Sequence, residues 1–468
     1  MSKLRTLTIV LAATLTSACT LIPDYQRPVA PVPATFPNAT SAEVPALVSL
    51  ADAIAWRGYF ADERLREVIA LALANNRDLR VAALNIEKAR AQYRIQRADL
   101  FPAVGATGSQ TAQRLPGDLT RSGEAETTRQ YSATVGFSAF ELDFFGRIRS
   151  LNAEALEQYL GTEEARRSAQ ISLVAEVANA WLTLAADRER LALARSTYET
   201  RQKSHDLTRR SFEVGAVSAL DLHQARTLLE SARADAARYR SFVAQDENAL
   251  AFVVGAPAPP ELLPARLTDT VSAVAELPAG VPSEVLTRRP DVLQAERSLR
   301  AANASIGAAR AAFFPSITLT AAAGSASSTL DGLFGGGSGI WSFVPQIRIP
   351  IFEAGRLKAN LDVAEVQRDI NVAQYEKAIQ SAFREVADAL AERATLVEQL
   401  DARRKLVDAT AASFLLSEAR YKGGVDSYFG LLDAQRTLYS AELDLIGVRL
   451  SEAANRVALY KVLGGGWQ

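Results

Sequence analysis

The sequence predicts a mixed α/β membrane protein. Three copies would close a trimeric 12-stranded β-barrel, four strands per chain, and each chain would add long helices. Three observations predict it: an internal duplication, two proline-free runs of about 65 residues, and four short segments in which apolar and polar residues alternate.

The duplication emerges when the chain is slid along itself. At an offset of 213, Asp78 meets Asp291, Ala82 meets Ala295, Ala89 meets Ala302, Ala91 meets Ala304 and Arg97 meets Arg310. Both copies end this stretch on the same phrase, Phe101-Pro102 and Phe314-Pro315. At an offset of 209, Gly146-Arg147 meets Gly355-Arg356, Gly215 meets Gly424 and Gly255 meets Gly464. The resulting organisation is a signal peptide over 1–18, an N-terminal extended segment over 19–61, repeat 1 over 62–255, a Pro-rich linker over 256–282 and repeat 2 over 283–464.

In chain order, Lys3 and Arg5 precede an apolar run from Leu7 to Leu15, then Thr16-Ser17-Ala18 and Cys19. This is a secretory signal too short to remain as a spanning helix. A lone Cys after small residues looks like a bacterial lipobox, which makes Cys19 the expected lipidation site and its acyl chains an anchor. An ordinary signal peptide with an incidental Cys is the alternative. Each repeat then opens with a predicted helix, about 62–99 and 283–312, closed by Phe-Pro because proline cannot continue a helix. Strands are predicted at about 103–113 and 129–142, and again at 316–326 and 341–352. Long helices are predicted over 147–213 and 356–421. A Gly-containing turn and a second helix follow in each copy. Ile171, Val174, Ala178, Trp181 and Ala185, spaced 3, 4, 3, 4, mark coiled-coil-like packing. Such a helix reaches about 100 Å, enough to cross most of a periplasm.

Alternation is strict in the strands. Ile317, Leu319, Ala321 and Ala323 form one row. Trp341, Phe343, Pro345, Ile347, Ile349 and Ile351 form a second, and Tyr131, Ala133, Val135, Phe137 and Ala139 a third. A soluble sheet with one buried face alternates in the same way. The signal peptide and the flanking Trp341 and Tyr131 favour a membrane. Four strands cannot close a barrel, and open edges are not tolerated in hydrocarbon, so the chain must oligomerise through its sheet. Two copies would give a filled interior; three give one wide enough for water.

The composition is poor in catalytic parts. Lys+Arg number 52 against Asp+Glu 53, which argues against nucleic acid as a partner. There is one Cys, and imidazole is limited to His205 and His223, so no disulfide framework, thiolate metal cluster, His-rich metal site, cofactor site or catalytic triad is expected. An enzyme is not expected.

The lipobox followed by Leu21-Ile22-Pro23-Asp24-Tyr25-Gln26-Arg27-Pro28, the doubled Phe-Pro, Gly355-Arg356, Tyr421 to Gly424, Leu432-Asp433-Ala434-Gln435-Arg436 and the closing Leu463 to Trp467 resemble the outer membrane factors. The likeness is strongest to the OprM-like lipoproteins of the TolC group and covers essentially the whole chain. It implies a homotrimer in the outer membrane, its 12-stranded β-barrel continuous with a long α-helical periplasmic barrel, that serves as the exit duct of a tripartite multidrug pump. The implied partners are a periplasmic adaptor (membrane fusion) protein, an inner-membrane resistance-nodulation-division (RND) transporter and outer-membrane lipid. An outer component for protein secretion or metal efflux is the alternative. The resemblance also implies a periplasmic gate at Phe429, Asp433 and Arg436, which at i, i+4 and i+7 share one helix face. Apart from the family, Asp433 and Arg436 read equally as a solvated surface pair. It implies adaptor contacts at the helix tips: Val214, Gly215, Ser218, Gly424, Val425 and Ser427.

Overall fold

A computed structural model describes residues 20–36, 55–267 and 283–465. The signal peptide, Cys19 and most of the linker lie outside the described residues. After a single helical turn at Trp56–Tyr59, the longer helices are α1 (Glu63–Asn75), α2 (Arg77–Ala98), α3 (Arg147–Glu213), α4 (Ala219–Val254), α5 (Pro290–Ala311), α6 (Arg356–Lys422) and α7 (Tyr428–Val462). The strands are β1 (Gly105–Leu115), β2 (Glu126–Leu142), β3 (Ser316–Ser327) and β4 (Gly339–Arg348). The two long helices, α3 and α6, each hold 67 residues, as proline-free runs allow.

The chain divides into two compact units, and neither is a sequence repeat. One takes Met1–Val29, Asn85–Glu163 and Gln294–Glu376; the other takes Ala30–Leu84, Glu164–Leu293 and Lys377–Gln468. Each unit therefore contains matching parts of both copies.

The first unit holds a four-stranded antiparallel sheet in the order β1-β2-β3-β4, with β2 and β3 joining the two copies. Directly opposed residues share a face. Val135–Ala323–Trp341, Phe137–Ala321–Phe343 and Leu142–Ile317–Ile347 make an apolar face, whereas Gly136–Ala322–Ser342 and Glu141–Thr318–Gln346 make a small and polar one. One expectation is corrected here. Ala139 does not continue the apolar row: a bulge between Phe137 and Phe140 puts Phe140 opposite Leu319. Ala139 sits at φ +52°, its N–H donating to the Thr320 hydroxyl. The extra residue of a bulge shifts the pleat by one, so every residue after it changes face.

The second unit is helical and carries the main core. Val174, Ala178, Trp181 and Ala185 of α3 pack with Leu65, Val68, Ile69 and Ala72 of α1, Leu250 and Val254 of α4, and Val457 and Tyr460 of α7. Trp181 is fully buried, and its indole N–H donates to Leu262 O at 3.0 Å. The single helix expected over 62–99 is two, broken at Asn76. The Asn76 amide caps α2 by accepting from Leu79 N–H and donates to Val253 O at 2.7 Å. In the second copy a 3-10 turn (Ser283–Arg288) precedes α5. Its break residue, Arg289, donates to Val462 O at 2.8 Å and pairs with Asp291 and Glu385. Asn76 and Arg289 are 213 residues apart and Val253 and Val462 are 209 apart, so different chemistry meets the same demand at matched places. The three glycine pairs at offset 209 behave likewise. Gly146 and Gly355, Gly215 and Gly424, and Gly255 and Gly464 all have positive φ, the region that side chains avoid.

Candidate channel mouth and open sheet edges

The tips of α3 and α6 end in the same hydrogen-bond motif. Gly215 N–H donates to Phe212 O and Ala216 N–H to Ser211 O; Gly424 N–H donates to Tyr421 O and Val425 N–H to Arg420 O. This is the Schellman arrangement with glycine in the left-handed position, φ +79° and +73°. Gly423 is not in that region, so its freedom is not what the turn uses.

Beyond the turns the copies diverge. Ser218 caps α4 in a full capping box: its hydroxyl accepts from Asp221 N–H, and the Asp221 carboxylate accepts from Ser218 N–H at 3.0 Å. Ser427 caps nothing with its side chain, and the residue three along is Gly430. Arg420 instead reaches across the second turn to Asp426, with Nη2 3.1 Å from Oδ1 and a second, closer bond from Nε. That hydrogen bonding holds the Asp426 carboxyl below the usual carboxylate range. Beneath the two turns, Tyr428, Leu431 and Leu432 of α7 pack on Ala225 of α4, with Phe414 and Tyr421 of α6 alongside. The Tyr421 and Tyr428 rings lie 5.1 Å apart.

With that face of α7 buried, the opposite face is open. Phe429 is 64% exposed, and Arg436 Nη2 donates to Asp433 Oδ1 at 2.6 Å. The structure thus brings Asp433 and Arg436 together on one exposed stripe that also carries Phe429. Val214, Gly215, Ser218, Gly424, Val425 and Ser427 are all exposed at the two tips, though the Ser218 hydroxyl is already committed to its cap. The residues that sequence reasoning missed are Arg420, Asp426 and Tyr428. The Arg–Asp pair spans a turn, so no helical spacing marks it.

The sheet offers a second functional feature. Among the described residues β1 pairs with β2 alone and β4 with β3 alone, so backbone edges of 11 and 10 residues stay open. Trp341 is 80% exposed on the apolar face. In water this is an aggregation hazard; in a bilayer the open edges must be paired.

Residues 68–256 and 281–465 match the model of the outer membrane efflux protein family. The chain is 54% identical over 463 residues to the antibiotic efflux pump outer membrane protein ArpC of Pseudomonas putida, covering 98% of this chain and 95% of the relative. The same figures hold for the toluene efflux pump outer membrane protein TtgC of Pseudomonas putida. Among solved structures, the open state of the Neisseria gonorrhoeae MtrE outer membrane channel matches with a TM-score of 0.87 at 41% identity, covering 96% of this chain and 99% of that one. The chain belongs to the outer membrane efflux protein family. It is an outer-membrane efflux channel protein, and the four-stranded sheet with long helices is the fold of those channels.

Proposed function

We propose that three copies of this chain close a 12-stranded barrel and form the passive exit duct of an RND-type tripartite multidrug efflux pump. The observation that carries the reading is the pair of open edges on a two-faced sheet: hydrocarbon forbids them, and copies joined β1 to β4 satisfy both. Twelve strands leave an aqueous lumen, lined by the small and polar face. A lumen needs no catalytic group, so the duct performs no chemistry, needs no cofactor, and takes its energy from the inner-membrane transporter. The names of the relatives, antibiotic and toluene efflux components, support drugs and organic solvents as cargo. Cys19 carries the lipid anchor. The two tips meet the periplasmic adaptor, which the exposed apolar Val214 and Val425 favour.

Phe429, Asp433 and Arg436 form the periplasmic gate. Around a threefold axis the exposed stripe becomes a ring of apolar bulk above paired charges, narrow and selective for cations. Asp433→Ala with Arg436→Ala should raise single-channel conductance about twofold in planar bilayers, and Asp433→Asn alone should weaken cation preference. Unchanged conductance together with unchanged ion preference would remove the gate and spare the duct.

A further inference from the structure

The apolar face of the sheet changes chemistry toward its hairpin end. Beside the helices the register sets Leu142–Ile317–Ile347, then Phe137–Ala321–Phe343 and Val135–Ala323–Trp341. The next two rows, Ala133–Ser325 and Gln110–Tyr131–Ser327, are small or polar. Beyond Tyr131 the same face carries Arg129, opposite Ala112, and Arg114, opposite Thr127. The acidic residue of this part of β2, Glu126, falls on the other face, opposite Leu115. Charge is sorted by face.

Both arginines are exposed, and among the described residues neither guanidinium has an ion pair or a hydrogen bond. The arginines at the helix end of the sheet differ: Arg147 is bound to Glu141, and Arg348 lies 3.6 Å from Glu353. Diagonal neighbours on an antiparallel pair stand about 7–8 Å apart. Two guanidinium forks at that spacing, with only Ala112 and Thr127 opposite them, can close on one phosphate group from two sides. The Tyr131 oxygen accepts from Gln110 Nε2 at 3.3 Å, which leaves the phenol proton to donate.

Depth along the strand fits a head group. Ile317 and Ser327 are ten residues apart on β3. At about 3.3 Å per residue and a tilt of about 40° they span about 25 Å, the height of an apolar band. Tyr131, opposite Ser327, therefore stands at the rim, where aromatic rings settle. Arg129 and Arg114 stand about 5 and 10 Å beyond it, outside the hydrocarbon. The strands join their helices at the opposite, periplasmic end, so the head groups at this rim belong to the outer leaflet. The second hairpin lacks the feature: 325–340 holds neither Lys nor Arg.

We propose that Arg114 and Arg129 clamp a phosphate of a phosphorylated glycolipid in the outer leaflet, one lipid site per protomer on the outer wall of the barrel. The inference rests on the barrel reading, which turns the apolar face to lipid. Charge complementarity selects the occupant. Two unpartnered cations facing lipid at that depth are matched by an anionic head group, whereas a zwitterionic lipid brings its own ammonium against them.

The test reconstitutes the full-length protein in phosphatidylcholine vesicles doped with labelled lipid A, captures it in detergent and counts the retained label. Arg114→Gln with Arg129→Gln should cut retention about tenfold. Arg114→Lys with Arg129→Lys keeps the charge but not the fork and should cut it about threefold. Arg121→Gln, in the hairpin loop, should change nothing. Dephosphorylated lipid A should be retained no better by the wild type than by the double Gln variant. Inorganic phosphate at matching concentration should displace none of the label, which marks a head group and not a free ion. Conductance in planar bilayers should be the same for every variant and reports the duct separately. Equal retention by wild type and the double Gln variant, with conductance intact, would overturn the clamp and leave the duct standing. Equal retention of dephosphorylated lipid A, or an equal loss with Arg121→Gln, would also overturn it. A wild type that conducts nothing would sink the barrel reading beneath it.

Discussion

The two helix tips descend from one duplicated turn, and they have been put to different uses. Both end a 67-residue helix on a glycine in the same left-handed position with the same pair of hydrogen bonds. In the first copy the acidic residue at the third helical position, Asp221, is spent on holding the turn together. In the second copy that position is Gly430. The local charges are Asp426, tied back to Arg420, and Asp433, which faces outward with Arg436. Buried aromatic packing follows the same division. Tyr428 is buried among Tyr421 and Phe414, whereas its counterpart at offset 209 is the exposed Ala219. One tip is held by a cap and the other by a packed ring pair, which leaves the polar face of α7 exposed. The backbone of the turn is inherited; the side chains that hold it are not.

The largest expected effect tests that division. Tyr428→Ala removes a buried ring, which costs roughly 3 kcal/mol of local stability in a packed site. Ala219→Ser on the exposed counterpart should stay within about 0.5 kcal/mol. Hydrogen exchange of the first turns of α7 and α4 reads both. Comparable loss at the two tips would mean that the ring pair is not what holds the second one.

A smaller effect should be equal in both copies. Gly215→Ala and Gly424→Ala each force a side chain into the left-handed region, about 1–2 kcal/mol. Nothing stands within 4 Å of either missing Cβ, so the cost is conformational and not steric. Gly423→Ala should cost little, since its φ is not positive. Amide exchange at the two turns measures all three. A Gly424 variant as robust as the Gly423 variant would break the claim that the turns share a backbone.

Legibility in the sequence follows the range of each interaction. The long helices are readable because absence of proline over 67 residues is a local property, and the Ile171–Ala185 stripe predicts its own burial. The four strands are readable from alternation. The bulge at Ala139 is not, because an alanine at positive φ leaves no compositional mark. The break at Asn76 has a signal in hindsight: Asn is a favoured helix cap, and Arg289-Pro290 stands at the matching place in the other copy. The pairing of Asp433 with Arg436 can be read from helical spacing, whereas Arg420 with Asp426 cannot, since the chain reverses between them. The pairing of Arg27 with Glu296 of α5 is invisible because the two are 269 residues apart and neither has a local reason to seek the other.

The smallest effect separates the tips most cleanly, because one residue type sits at the same place in both. Ser218 and Ser427 each precede the first turn of the returning helix. Only Ser218 has its hydroxyl bonded to the backbone three residues on. Replacing a capping serine by alanine leaves an N–H of the first turn without its partner and costs about 1 kcal/mol. Ser218→Ala should therefore speed amide exchange at Leu220 to Leu222, and Ser427→Ala should leave Phe429 to Leu431 unchanged. Asp221→Ala should reproduce the loss from the other side of the box, since its carboxylate holds the Ser218 N–H. Equal sensitivity of the two serines would show that the second tip also depends on its cap. The freedom of its exposed face would then need another explanation than the Arg420–Asp426 pair and the buried tyrosines.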